Sequence, residues 1–351
     1  MSASAPKADI QWTCRDVMPA LPVPDRVVVA LIQSSGEINA AQAVLAALKV
    51  KRASRMKPRP YGPFPYSPIV DRPPLRWPNG ARVALWVIPN IEFFALDEKI
   101  PPDAGGGSPM MPAPDVPRWS VRDYGNRIGV FRVMDVLDRF GIRGTVALNS
   151  DLCAQHTRII EEARKRNWEW MGHNESNSRR LNAIEPAEEQ GVIRNALATI
   201  EKATGTRPKG WLSSGLHETW NTLDHLAAEG CEYVCDWVND DQPYVMTLDS
   251  GKELVAIPYS HVINDKPQYE RDHRTADEFQ AMICRQFDVL YREGAASGRV
   301  MGIALHPYLT GMTHRIGALE GALEHICRHD GVWKATGSEI VRHYRSQIAA
   351  K

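Results

Sequence analysis

Trp168-Glu169-Trp170-Met171-Gly172-His173-Asn174-Glu175-Ser176-Asn177 is an apolar run that ends abruptly in a cluster of groups able to do chemistry. Its length and bulk predict a β-strand over 168–172, and a histidine on a strand's last residue faces a cleft more often than a core. The pattern recurs three times: Val83 to Glu92, Tyr233 to Asp241 and Val300 to His306 each run from apolar residues into a carboxylate or an imidazole. Strands that end this way predict an active site at their shared carboxyl edge.

From residue 81 onward, strand-like and helix-like segments alternate. Strands are predicted at 82–89, 145–149, 168–172, 210–213, 233–237, 255–259, 300–305 and 332–335. Helices are predicted at 126–140, 157–166, 186–204, 219–229, 276–293, 315–328 and 338–348. Parallel neighbours need crossovers of helix length, so this order predicts a parallel (β/α) barrel of seven or eight strands. A doubly wound open sheet is the competitor, but no Gly-x-Gly-x-x-Gly follows any strand. A barrel places chemistry at the carboxyl ends of its strands. Those ends carry Asn90, Glu92, Asn149, His173, Ser213, Asp236 through Asp241, His261 and His306, whereas the opposite ends carry Arg82, Arg143, Arg207 and Arg299.

Residues 1–75 differ from the rest. Residues 27–33 could form a strand and 40–48 a helix, but 51–74 holds prolines at 58, 60, 63, 65, 68, 73 and 74, too many for regular structure. The organisation expected is an arm or linker over 1–75 and a barrel domain over 76–351. The arm either wraps the barrel or a neighbouring subunit, or is non-functional sequence added by an upstream start codon. A long loop over 97–118, with Gly105-Gly106-Gly107 inside it, lies after the first strand and is either a bland connection or a lid. Its glycines are no phosphate cradle, since no Gly-Lys-Ser/Thr follows.

Composition narrows the function classes. Lys+Arg and Asp+Glu number 42 each in 351 residues, so charge gives no reason to expect nucleic acid or a membrane surface as partner, and a small-molecule substrate fits better. The six cysteines include no Cys-x-x-Cys and read as reduced thiols. No apolar run reaches the length of a bilayer span or a signal peptide, so a cytoplasmic protein is expected.

The motifs resemble a known family. Asn90-Ile91-Glu92, Gly172-His173, Arg207-Pro208-Lys209-Gly210-Trp211, Cys235-Asp236 running on to Asp240-Asp241-Gln242-Pro243-Tyr244, and Leu305-His306-Pro307 follow the order seen in polysaccharide deacetylases. The Asp-Asp-x-Pro-Tyr run and His329-Asp330-Gly331-Val332-Trp333 are closer to the allantoinase-like branch. The resemblance covers roughly residues 81–344. It implies a distorted barrel with fewer than eight strands that hydrolyses a non-peptide C–N bond, and tends toward homo-oligomers.

In metal-dependent members of that superfamily an Asp is the base, another Asp and two His separated by three residues hold the metal, and a late His is the acid. Here Asn90, Glu92 and Asn177 stand at three of those positions. An amide is a poor zinc ligand, so Glu92 and His173 would be the only good ones, and no metal is expected. A metal-free site would use Glu92, its pKa raised by shielding, as base. His306 would act as acid, oriented by Asp236, Asp240 or Asp241. Asn90, His173, Asn177 and backbone N–H groups near Ser213 would stabilise an oxyanion, with Glu175 and Trp211 also lining the substrate pocket. Such chemistry favours cyclic imides, hydantoins or ureides. The competing expectations are a zinc-dependent saccharide N-deacetylase and a binding barrel that has lost the chemistry.

Overall fold

The computed structural model describes residues 58–102 and 110–349. The expected strand at 27–33, helix at 40–48 and the centre of the 97–118 loop lie outside the described residues.

One curled sheet organises the chain. Its strands are β1 (Val83–Ile91), β2 (Thr145–Leu148), β3 (Glu169–Gly172), β4 (Gly210–Trp211), β5 (Tyr233–Val234), β6 (Tyr244–Thr247), β7 (Glu253–Ala256), β8 (Arg299–Leu305) and β9 (Val332–Lys334). The order across the sheet is β6-β7-β5-β4-β3-β2-β1-β8, with β9 paired to β1. Every pair is parallel except β6 with β7. The predicted parallel barrel is thus a half-barrel in which seven parallel strands, β7 through β8, form the main run. β9 pairs with the amino half of β1 at Val83–Leu85, while β2 pairs at Asn90 and Ile91.

Residue parity explains how these strands bury both faces. In β1, Val83, Leu85 and Val87 pack outward with the helices, while Ala84, Trp86 and Ile88 pack inside the curl. In β8, Met301, Ile303 and Leu305 face outward, and Val300 and Ala304 face inward. Successive side chains of a strand alternate faces, so the same period carries Asn90 and Glu92 inward past the end of β1 and His306 inward past the end of β8. Met171 faces inward on β3, and His173 follows two residues later.

The covering helices are α1 (Val116–Tyr124), α2 (Val130–Arg139), α3 (Leu152–Gln155), α4 (Thr157–Lys165), α5 (Glu189–Thr204), α6 (Thr222–Ala228), α7 (Ala276–Gly294), α8 (Ile316–Cys327) and α9 (Gly337–Ala349). α7 starts at a capping box, Thr275 with Glu278, and α5 stops at Gly205 in the left-handed conformation. Three of these elements were not expected from the sequence, α1, α3 and β6. Tyr244–Thr247 is short and only partly buried, and α1 begins inside the proline-rich loop, with Pro117 in its first turn.

A π turn, Gly125–Gly129, joins α1 to α2 and seats them against the segment after β8. A Cβ on Gly129 would lie 2.1 Å from the Pro307 carbonyl oxygen, a backbone atom that cannot swing away. Gly129→Ala is therefore expected to cost about 2–3 kcal/mol, read as a lowered denaturant midpoint. An unchanged midpoint would show that this helix pair does not brace the loop carrying His306.

Residues 58–75 do not behave as a separate arm. The Thr247 N–H donates to the Pro63 carbonyl, Phe64 meets Trp237 and Tyr244 edge-on, and Arg72 forms a two-pronged ion pair with Asp240 at 2.6–2.7 Å. These contacts move the domain boundary at 76 toward the N-terminus. No helix among the described residues is long and apolar enough to cross a membrane.

Candidate active site

Glu92 sits at the centre of the carboxyl edge, buried between two imidazoles. Its Oε1 lies 3.4 Å from His306 Nε2 and 3.7 Å from His173 Nε2. Each ring is oriented from behind. His173 Nδ1 lies 2.6 Å from the Leu212 carbonyl, which can only accept, so Nδ1 carries the proton and Nε2 points its lone pair at the cleft. His306 Nδ1 lies 2.7 Å from Asp265 Oδ1.

Asp265 is the orienting carboxylate. It is fully buried and also accepts the His306 backbone N–H at 2.7 Å, the Thr310 hydroxyl at 2.6 Å and the Thr310 N–H at 3.3 Å. The stretch after β7 brings it there: Asn264 bridges to Ala304 of β8, and the Ala304 N–H donates to the Ile263 carbonyl. None of the three aspartates expected in this role fills it. Asp240 is held by Arg72, and the Asp241 carbonyl accepts the Val300 N–H at the amino end of β8, away from the carboxyl edge. Asp236 does lie at the carboxyl edge, but it accepts the Ser213 N–H at 2.7 Å and faces Glu218, whose carboxyl is pushed well above the usual range by burial and then by Asp236.

The Glu92 carboxyl behaves opposite to expectation. Burial raises its pKa, but the charge and hydrogen bond of the His306 ring, helped by the Lys266 charge, outweigh burial and hold it well below the ordinary carboxylate range. The magnitudes agree. A unit charge 3.4 Å away contributes on the order of 5 kcal/mol at an effective dielectric of about 20, comparable with the several kcal/mol that burying one ion costs. For His306 burial lowers the pKa, but the Glu92 and Asp265 charges more than compensate and lift it to about 9. Near neutral pH the pair is therefore carboxylate and imidazolium.

Two buried polar atoms here, Glu92 Oε2 and His173 Nε2, have no hydrogen-bond partner among the described residues. Both residues line a cavity of about 480 Å³, together with Asn90, Asn177, Tyr259 and His306. Ile100, Pro101 and Pro102 from the loop after β1, and Phe94, supply apolar wall.

The other expected site residues divide. Asn90 lines the cavity, but its side chain is spent on structure: Nδ2 donates to the Ile88 and Leu305 carbonyls, and Oδ1 accepts from the Tyr259 hydroxyl, itself an acceptor from Asn264. Asn177 Oδ1 accepts from Asn149 Nδ2 at 3.1 Å and the Ser214 hydroxyl at 2.5 Å, which turns its amide nitrogen into the remaining polar group. Ser213 lines the cavity, yet its N–H is committed to Asp236 and is no oxyanion donor. Trp211 is wholly buried on the outward face against Gly172, so it is core and not a substrate platform. Glu175 is paired with Arg179 at 3.3 Å and does not line the cavity. The sequence reading missed Asp265, Tyr259 and Asn264. The only signal for them was Asn264-Asp265 following a predicted strand end.

No family model matches the chain. PuuE allantoinase is 26% identical, with a TM-score of 0.72 over 78% of this chain and 94% of its own. A Pseudomonas aeruginosa PAO1 structure, named provisionally as a polysaccharide deacetylase, is 25% identical with a TM-score of 0.71, covering 79% and 95%. A Schizosaccharomyces pombe protein, also named provisionally as a polysaccharide deacetylase, is 24% identical over 301 residues, 77% of this chain and 92% of its own. The chain is thus similar, in sequence and in fold, to polysaccharide deacetylase-like proteins and to an allantoinase of the same architecture. It is a hydrolase of carbon–nitrogen bonds other than peptide bonds.

A divalent ion, which the superfamily's metal-dependent members use, does not fit the donors at this deacetylase-type site. A catalytic zinc takes three protein ligands. Glu92 and His173 supply two and Asn177 Oδ1 already accepts two hydrogen bonds, while His306 Nε2, which faces Glu92, does not complete with them a set of donors lying within 4.8 Å of one another. Among the described residues, the trio of His, Cys, Asp or Glu donor atoms lying within 4.8 Å of one another is elsewhere, at Asp288, His325 and His329.

Proposed function

We propose that this hydrolase opens small cyclic amides, imides or ureides, with Glu92 as base and the His306–Asp265 pair as acid, and without a metal. The observation that carries the proposal is the placement of an ionised Glu92 carboxylate 3.4 Å from a protonated His306 at the wall of a ligand-sized cavity. A binding barrel that had lost its chemistry would not need the two within reach of one substrate atom.

The residues support a balanced reaction. One hydrogen of a water faces the Glu92 carboxylate and the other faces the lone pair of His173 Nε2. As Glu92 removes its proton, the water oxygen bonds to the acyl carbon, and the carbonyl π pair moves onto oxygen, where the Asn177 amide donates to it. Collapse re-forms the carbonyl and breaks the C–N bond, while Nε2–H of His306 protonates the departing nitrogen. Glu92 then returns its proton to His306 across 3.4 Å, restoring the starting pair. A carboxylate held below its usual pKa is a weak base, which explains why a strained or activated acyl group suits this site better than a plain acetamide.

The test is a panel of hydantoin, allantoin, succinimide, glutarimide and N-acetylglucosamine oligomers, followed by product analysis. Ring opening is the expected result; deacetylation of the oligomers with every ring left intact would overturn the proposal.

The protonation states fix a pH profile. Glu92 is ionised above its depressed pKa and His306 is protonated below about 9. kcat/KM is therefore expected to be level through neutral pH and to fall on the alkaline side near pH 9. Asp265→Asn removes one of the two charges that raise His306, so this alkaline limb is expected to move to lower pH as the rate drops. A limb that stays in place would remove Asp265 from its orienting role.

A further inference from the structure

The donor trio at Asp288, His325 and His329 lies outside the hydrolytic site. Asp288 is on α7, His325 is in the last turn of α8, and His329 follows in the turn toward β9. His325 Nε2 is 2.7 Å from Asp288 Oδ1. His329 Nδ1 is 3.0 Å from the His325 carbonyl, so that nitrogen donates and Nε2 keeps the lone pair. Both rings pack on Phe287, at centroid distances of 5.9 and 5.0 Å, and His329 also meets Tyr291 at 5.1 Å. One donor atom from each residue lies within 4.8 Å of the other two. Zinc holds such ligands at about 2.0–2.2 Å, so small rotations of half-exposed side chains would close the set.

We propose that Asp288, His325 and His329 form a binding site for a zinc-class divalent cation, with water completing the coordination. Two imidazoles and one carboxylate select Zn²⁺, Ni²⁺ or Cu²⁺ over Mg²⁺ and Ca²⁺, which require oxygen ligands. The site is structural, because it sits at the amino end of the sheet. The Tyr291 hydroxyl donates to the Asp330 carbonyl, and the neighbouring Gly331 carbonyl accepts the N–H groups of Arg82 and Val83 where β1 begins. Glu92 lies past the other end of that strand. A bound ion would clasp α7 to α8 and to the turn entering β9, without touching the cavity.

The test is Zn²⁺ titration of the chelator-stripped full chain against a chromophoric chelator, with Co²⁺ absorption as a spectroscopic probe. About one equivalent is expected for wild type and for Glu92→Gln. His325→Ala and His329→Ala are each expected to weaken binding by about a hundredfold or more, at or beyond the upper end of what outer-shell changes cost, and to leave hydrolysis unchanged. Asp288→Asn, nearly the same shape as the native residue, keeps the test valid if a histidine variant fails to fold. No binding by wild type would overturn the proposal. So would binding that survives in Asp288→Asn, or binding lost in Glu92→Gln, since the latter would place the ion in the hydrolytic site.

Discussion

Glu92→Gln is expected to lower kcat/KM by roughly 10³-fold, within the range a positioned base contributes. The amide keeps the size of the side chain and one acceptor oxygen, but it cannot take a proton from water. Glu92 is also the first of the two charges that lift His306 to about 9. Losing it leaves Asp265 alone to oppose burial, so the variant's remaining activity should decline at lower pH than the wild type's. The fold should survive, because the amide has nearly the shape of the carboxylate and removes the desolvation cost of a buried charge. A near-wild-type rate with a folded protein would take the base role away from Glu92.

His306→Ala is the second large effect, a loss of roughly 10²–10⁴-fold that depends on the substrate. The acid matters most when the departing nitrogen is basic and least when it leaves as a stabilised imide or ureide anion. The loss should therefore grow along the panel as the leaving nitrogen becomes more basic, and a loss of equal size for every substrate would point to a merely structural role. The variant should still fold, since Asp265 keeps the backbone N–H of residue 306 and both donors of Thr310.

The sequence disclosed the frame of this site, but only part of its wiring. Apolar runs ending in Glu92, His173 and His306 were enough to predict a parallel sheet with chemistry at its carboxyl edge, because burial on both faces leaves long hydrophobic strands. Applying strand parity to the same runs would also have separated Trp211, which faces outward, from Leu212, which faces the curl. Asp265 was out of reach for a different reason. It lies 41 residues from His306, beyond a strand end, and meets it only through the curl of the sheet. Asp240 and Asp241 misled because their run, ending in Gln242-Pro243-Tyr244, follows β5 yet turns back to the amino end of β8, where the Gln242 amide donates to the Gly298 carbonyl. The depressed pKa of Glu92 was equally hidden. Shielding was legible in the surrounding aromatics, whereas the imidazolium that outweighs it, His306, comes from beyond the end of β8.

The most direct measurement is kcat/KM of the wild-type chain on its best ring substrate, before and after exhaustive chelation, with metal content determined on the same samples. Unchanged turnover once the metal is gone is the predicted result, even if the untreated protein carries an ion at Asp288, His325 and His329. Turnover that disappears on chelation and returns with Zn²⁺, in wild type and in His325→Ala alike, would contradict a hydrolysis carried by Glu92, His306 and Asp265 alone.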